Sequence, residues 1–213
     1  MIIKICGMRE PDNIRTVAQT GIDWMGMIFW PRSSRYVSDL TVADAIPKGI
    51  VRVGVFVDQP INLIADIALR CRLNIIQLHG NESIEIIRKT KQRLGNEVKL
   101  MKAISVSSAD DIKKAAYYAE AVDYLLFDTK CQTVGGSGCQ FEWSVLSQYR
   151  GSTPFLLSGG IGSDDVEAVS QFRHPKMTGI DLNSKFEVAP AHKDAEKLSS
   201  FINEVKLKFH NYE

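Results

Sequence analysis

Ile2-Ile3-Lys4-Ile5-Cys6-Gly7-Met8 reads as a short, nearly continuous apolar strand that ends on a thiol and a glycine. Such runs suit strands buried on both faces, as in parallel sheets. Comparable runs begin near Trp24, Val51, Ile75, Val98, Val122, Pro154 and Thr178, at intervals of 22 to 32 residues. One strand, one helix and two loops fill such an interval. The pattern therefore predicts eight βα units, with strands over 2–6, 24–29, 51–57, 75–78, 98–104, 122–127, 154–157 and 178–182. A doubly wound open sheet uses the same units but usually carries GxGxxG after its first strand. Cys6-Gly7-Met8 stands there instead. The expected fold is α/β, a single (β/α)₈ TIM barrel of parallel strands spanning residues 1–213. Such barrels carry their active sites at the C-terminal ends of the strands.

Helical patterns fill the intervals. Pro11 and Pro60 suit the first turn of a helix, where a missing N–H does no harm. Ser108, with Asp111 three residues on, has the form of a capping box ahead of an apolar face at Ile112, Ala115, Ala116 and Ala119. Leu198, Phe201, Ile202, Val205 and Phe209 give the last helix its stripe. Short helices are expected in the second and sixth units.

Hydrophobic residues make up 45% of the chain and charged ones 24%, typical of a globular domain with one sizeable core. A net charge of +1 gives no reason to expect nucleic acid or a membrane as partner. No apolar run reaches transmembrane length, and the N-terminus lacks a signal peptide's apolar stretch. A cytoplasmic protein with reduced thiols is expected. Cys6, Cys71, Cys131 and Cys139 show no zinc-ligand spacing, so no metal is expected. Cys71 continues the helix stripe of Ile64, Ile67 and Ala68 and reads as core.

The remaining polar residues cluster just after the strands. Cys6, at a strand end and near a helix N-terminus, can have a lowered pKa and act as base or nucleophile, or it can be a small buried hydrophobe. Lys4 shares its parity and points inward, where Asp181 on the last strand is a partner for a structural pair. Asp128 ends the apolar run Tyr124-Leu125-Leu126-Phe127, a place for acid–base work or for a helix cap. Its loop carries Gly135-Gly136-Ser137-Gly138, which lets backbone approach a ligand or serves as a plain connection. Arg35, in Phe29-Trp30-Pro31-Arg32-Ser33-Ser34-Arg35, suits a carboxylate or phosphate, though a rim arginine is often only solvated. Ser158-Gly159-Gly160 and Asn183-Ser184 follow strands seven and eight, where barrels often bind phosphate. His79 in Gln77-Leu78-His79-Gly80 can contact substrate, but a lone histidine is more often structural, and no acid–base work is assigned to it.

Taken in order, Lys4–Gly7, Phe29–Arg35, Val53–Val57, Gln77–Gly80, Asp128 with Gly135–Gly138 and Phe141–Trp143, and Leu157–Gly160 resemble the phosphoribosylanthranilate isomerase family of tryptophan biosynthesis. The resemblance implies an Amadori rearrangement of an aminoaldose phosphate to an aminoketose phosphate. It implies Cys6 as general base, Asp128 as general acid and Arg35 at the anthranilate carboxylate. The phosphate would lie between Ser158-Gly159-Gly160 and Asn183-Ser184-Lys185, and Gly136 would also contact the substrate. No cofactor is expected, since the substrate's nitrogen serves as electron sink. The small-molecule substrate is the expected partner, and the protein is expected to be a monomer or homodimer.

One stretch departs from the family pattern. Asn183-Ser184-Lys185-Phe186-Glu187 replaces the usual serine-serine-glycine-valine-glutamate, and Ala191 stands where glycine is common. Two alternatives compete. The aminoaldose isomerase of histidine biosynthesis uses aspartates on strands one and five, where this chain has Cys6 and no aspartate. A non-catalytic sugar-phosphate-binding barrel would have had no need to keep both Cys6 and Asp128.

Overall fold

The computed structural model describes residues 1–129 and 143–210. Eight parallel strands close into a barrel in chain order: β1 (Ile2–Ile5), β2 (Trp24–Ile28), β3 (Val51–Phe56), β4 (Ile75–Leu78), β5 (Lys99–Val106), β6 (Tyr124–Thr129), β7 (Phe155–Leu157) and β8 (Met177–Leu182). Each strand lies within two residues of its predicted ends. Closure is made by β1 beside β8, with Lys4 opposite Asp181.

Alternation along each strand sorts the side chains into two cores. Outward residues join the apolar faces of the surrounding helices α1 (Pro11–Val17), α2 (Ile61–Arg70), α3 (Ile84–Leu94), α4 (Ala109–Ala119), α5 (Val166–Gln171) and α6 (Ala195–His210). Ile64 and Ile67 of α2, Ile112 and Ala115 of α4, and Leu198, Phe201, Ile202 and Val205 of α6 are buried there. Burying one large apolar side chain contributes about 1.5–3 kcal/mol. Inward residues Trp24, Val53, Ile75, Met101, Ala103, Leu126 and Leu156 form a separate apolar plug inside the barrel. Two residues further along those same faces stand Val55, Gln77, Asp128 and Ser158, so the plug is the floor on which the polar layer rests.

Among the described residues, the second and sixth units carry short 3₁₀ helices, Leu40–Ala45 and Trp143–Gln148, in place of α-helices. Pro11 occupies the first turn of α1, whereas Pro60 sits one step earlier, at the N-cap of α2. The Asp111 carboxylate accepts hydrogen bonds from the Ser107 and Ser108 backbone N–H groups at the start of α4. An antiparallel hairpin not foreseen from the sequence, β9 (Glu187–Ala189) with β10 (His192–Lys193), follows β8. It turns through Ala191, whose φ of 67° is left-handed. A pleat this short offers too little alternation to be seen in the sequence.

Candidate active site

A cavity of about 220 Å³ opens where the strands end. Cys6, Asp128, Ser158, Gly159, Gly160, Asn183, Ser184 and Lys185 all line it, together with Gln77, His79 and Asp181. Arg35 is not in its lining, and Gly136 lies outside the described residues.

Cys6 is only 4% exposed. Burial pushes its thiol up. The Lys4 ammonium pulls the other way, Asp181 adds to the rise, and Lys193 opposes it. This corrects the lowered pKa expected from the sequence. Helix α1 begins only at Pro11, so the strand end lies within the barrel rather than at a helix N-terminus. Beneath it, Lys4 Nζ donates to Asp181 Oδ1 at 2.8 Å, as expected, and Ser158 Oγ donates to Asp181 Oδ2 at 3.3 Å. Burial, the largest single influence, would lower the Lys4 ammonium, but the charges and hydrogen bonds of Asp181 and Cys6 together outweigh it, and Lys4 is held above its ordinary value.

Asp128 is set differently. Strand β6 continues past it, and its carboxylate is 32% exposed, with Oδ2 3.4 Å from His79 Nε2. Gln77 Nε2 lies 2.9 Å from His79 Nδ1. With that amide nitrogen donating to Nδ1, the ring proton resides on Nε2, toward Asp128. Gln77 Oε1 is buried without a hydrogen-bond partner. His79 thus faces a charge, where the sequence left open either a substrate contact or the more common structural role. The available signal was an inward polar residue, Gln77, in an otherwise apolar strand.

Arg35 is engaged beside the cavity. Its Nε and Nη2 donate to the two Glu187 carboxylate oxygens at 2.7 and 2.6 Å. Lys193 Nζ donates to Glu187 Oε1 at 2.6 Å and to Asn183 Oδ1 at 2.8 Å. Glu187 bonding lifts the Arg35 guanidinium further. Burial would raise the Glu187 carboxyl, but its bonds to Arg35 and Lys193 hold it below its usual range. The Ala191 N–H also donates to Glu187 Oε1, at 3.2 Å, so the left-handed turn serves to close this network. A Cβ at Gly7 would lie 2.5 Å from Arg35 Cδ, so the arginine stem passes directly over the turn that follows Cys6. Lys193 and Glu187 were not recognised from sequence as site residues, because both belong to the unforeseen hairpin.

The loops after β7 and β8 face each other across the cavity. Gly159 and Gly160 are left-handed, with φ of 91° and 71°. Lys185 is exposed, its side chain makes no hydrogen bond or ion pair among the described residues, and its backbone is not left-handed. The glycine usual in the family is therefore not required there.

Comparison with known proteins agrees over nearly the whole chain. A family model described as N-(5'phosphoribosyl)anthranilate (PRA) isomerase matches residues 3–204. An N-(5'-phosphoribosyl)anthranilate isomerase of Parabacteroides distasonis is 47% identical over 209 residues, covering 96% of this chain and 93% of that protein. The crystal structure of phosphoribosyl anthranilate isomerase from Thermotoga maritima superposes with a TM-score of 0.86 at 34% identity, covering 97% and 99% of the two chains. A phosphoribosyl anthranilate isomerase in complex with reduced 1-(o-carboxyphenylamino)-1-deoxyribulose 5-phosphate gives 0.81 at 31% identity, with the same coverage.

Proposed function

Because the chain belongs to the N-(5'-phosphoribosyl)anthranilate isomerase family, we propose that its reaction is carried by Cys6 as general base and Asp128 as general acid. The reaction converts N-(5'-phosphoribosyl)anthranilate, an aminoaldose, to 1-(2-carboxyphenylamino)-1-deoxyribulose 5-phosphate, an aminoketose, in tryptophan biosynthesis. One observation carries the residue assignment: a thiol and a carboxylate from β1 and β6 line the same small cavity.

Asp128, in its acid form, protonates the ring oxygen as the C1–O bond breaks and the nitrogen lone pair forms an iminium. That cation acidifies the C2–H. The Cys6 thiolate takes the C2 proton, and the electron pair left behind flows through C1 to nitrogen, giving an enolamine. Tautomerisation moves the enol proton to C1 and leaves the ketone. A positioned acid and base each contribute about 10²–10⁴-fold. His79 holds one oxygen of Asp128, leaving the other to present the proton.

The phosphate is assigned to Ser158, Gly159 and Gly160 on one side and Asn183, Ser184 and Lys185 on the other, with backbone N–H groups as donors. Gly136 would complete the site from the loop after β6. Arg35 is assigned to the anthranilate carboxylate through the part of its fork that Glu187 leaves free. The protein is assigned to the cytoplasm as a monomer or homodimer, and a Thermotoga maritima relative is described as dimeric. No helix among the described residues is long and apolar enough to cross a membrane.

Mixing the purified protein with freshly generated phosphoribosylanthranilate should abolish the substrate's fluorescence, and Cys6→Ala should stop that loss. Persistence of fluorescence with wild type would favour a non-catalytic sugar-phosphate-binding barrel. Turnover by Cys6→Ala at the wild-type rate would remove Cys6 from the mechanism.

A further inference from the structure

Lys4 is fully buried, yet the reaction as described leaves it idle. An ammonium has three N–H donors. Among the described residues one goes to Asp181 Oδ1, and the only other side chain in hydrogen-bonding reach of the ammonium is Cys6. Leaving the rest of a buried cation's donors unused is costly in a low-dielectric interior. A structural pair therefore accounts for only part of this side chain.

The neighbouring strand shows where the remainder is directed. A Cβ built on Gly26 of β2 would lie 3.0 Å from Cys6 Sγ and 3.4 Å from Lys4 Nζ. The sulfur and the ammonium thus border one small volume, which a side chain at residue 26 would crowd. Lys4 and Cys6 share one face of β1, two residues apart, so the strand itself aims both into that volume.

We propose that Lys4 is a positioning residue of the reaction: its ammonium, anchored by Asp181, faces the Cys6 sulfur and stabilises the thiolate that removes the sugar proton. The proposal rests on Cys6 being the base. Four charged groups act on that sulfur. Lys4 from β1 and Lys193 from β10 favour the thiolate, Asp181 from β8 opposes it, and Arg35 interacts with it from the loop after β2. Asp181 accordingly has two opposite effects, holding Lys4 in place and repelling the thiolate directly.

Those opposite signs make the test. In a merely structural pair, Lys4→Met and Asp181→Asn would damage the protein alike. If Lys4 supports the thiolate, the two variants shift Cys6 in opposite directions. The probe is the pH dependence of iodoacetamide alkylation of Cys6, read on its own peptide by mass spectrometry, with circular dichroism confirming the fold. Lys4→Met should move the alkylation midpoint up by at least about one pH unit. Asp181→Asn keeps a hydrogen bond to Lys4 and should move it down. Each unit upward lowers the thiolate fraction at neutral pH about tenfold, and kcat/KM should fall with it. Midpoints that shift together, or not at all, in folded variants would overturn the proposal. Should Lys4→Met fail to fold, Lys4→Gln, which keeps a donor to Asp181 but carries no charge, decides: a raised midpoint supports the proposal, and an unchanged or lowered one refutes it. Alkylation reports the coupling whatever the catalytic role of Cys6, whereas Cys6→Ala turnover tests that role separately.

Discussion

Cys6 and Asp128 line the same cavity from the ends of β1 and β6, but their surroundings have little in common. The thiol is sealed above a buried Lys4–Asp181 pair on the barrel's closing strands. The carboxylate is a third exposed and meets a single imidazole from the loop after β4. Burial together with fixed charge inside the barrel surrounds the first group, and solvent with one imidazole surrounds the second. On the proposed assignment, a base that must work as a thiolate has a permanent cation beneath it, while the acid keeps access to water and can recover its proton between turnovers.

The largest expected effects are at the pair itself. Cys6→Ala and Asp128→Asn should each lower kcat about 10²–10⁴-fold, or roughly 3–5 kcal/mol, with the fold intact. A near-normal kcat in either variant would break the comparison at once. His79→Phe, which keeps a ring but removes the donor facing Asp128, should lower kcat about tenfold, or about 1.4 kcal/mol, and leave KM nearly unchanged. An unaltered kcat would mean that the acid stands without its neighbour.

Arg35 should show binding rather than chemistry. Arg35→Lys keeps a charge but loses the planar fork, so KM should rise about tenfold with kcat changed less than about threefold. An analogue lacking the anthranilate carboxylate should bind wild type and variant alike. Unchanged KM for the true substrate would leave Arg35 as no more than the partner of Glu187. The smallest effect is expected at Lys185, whose exposed side chain makes no hydrogen bond or ion pair among the described residues. Lys185→Ala should change affinity less than about threefold, roughly 0.6 kcal/mol. A tenfold loss that disappears at high salt would instead show its ammonium on the phosphate.

Much of this architecture was legible in the sequence because parallel strands buried on both faces leave long apolar runs, and eight of them recur at a helix-bearing spacing. Cys6 and Asp128 stood out as polar residues closing such runs, and the parity of Lys4 indicated its pairing with Asp181. The thiol's environment was not legible, since the distance from Cys6 to helix α1 decides between a dipole and burial. The Arg35–Glu187–Lys193 network was hidden for a related reason. It depends on a short hairpin after β8 that brings together residues more than 150 positions apart, and no local pattern announces such a contact.

The most direct test of the unequal pair is the pH profile of kcat/KM between about pH 5 and 10, measured where substrate deuterated at C2 shows chemistry to be rate-limiting. The pair needs a thiolate and a carboxylic acid together, so the profile should be bell-shaped. Burial raises the Cys6 thiol, so the alkaline limb should lie above the ordinary thiol value of about 8.5. A flat profile across that range, or an alkaline limb below the ordinary thiol value, would contradict the account.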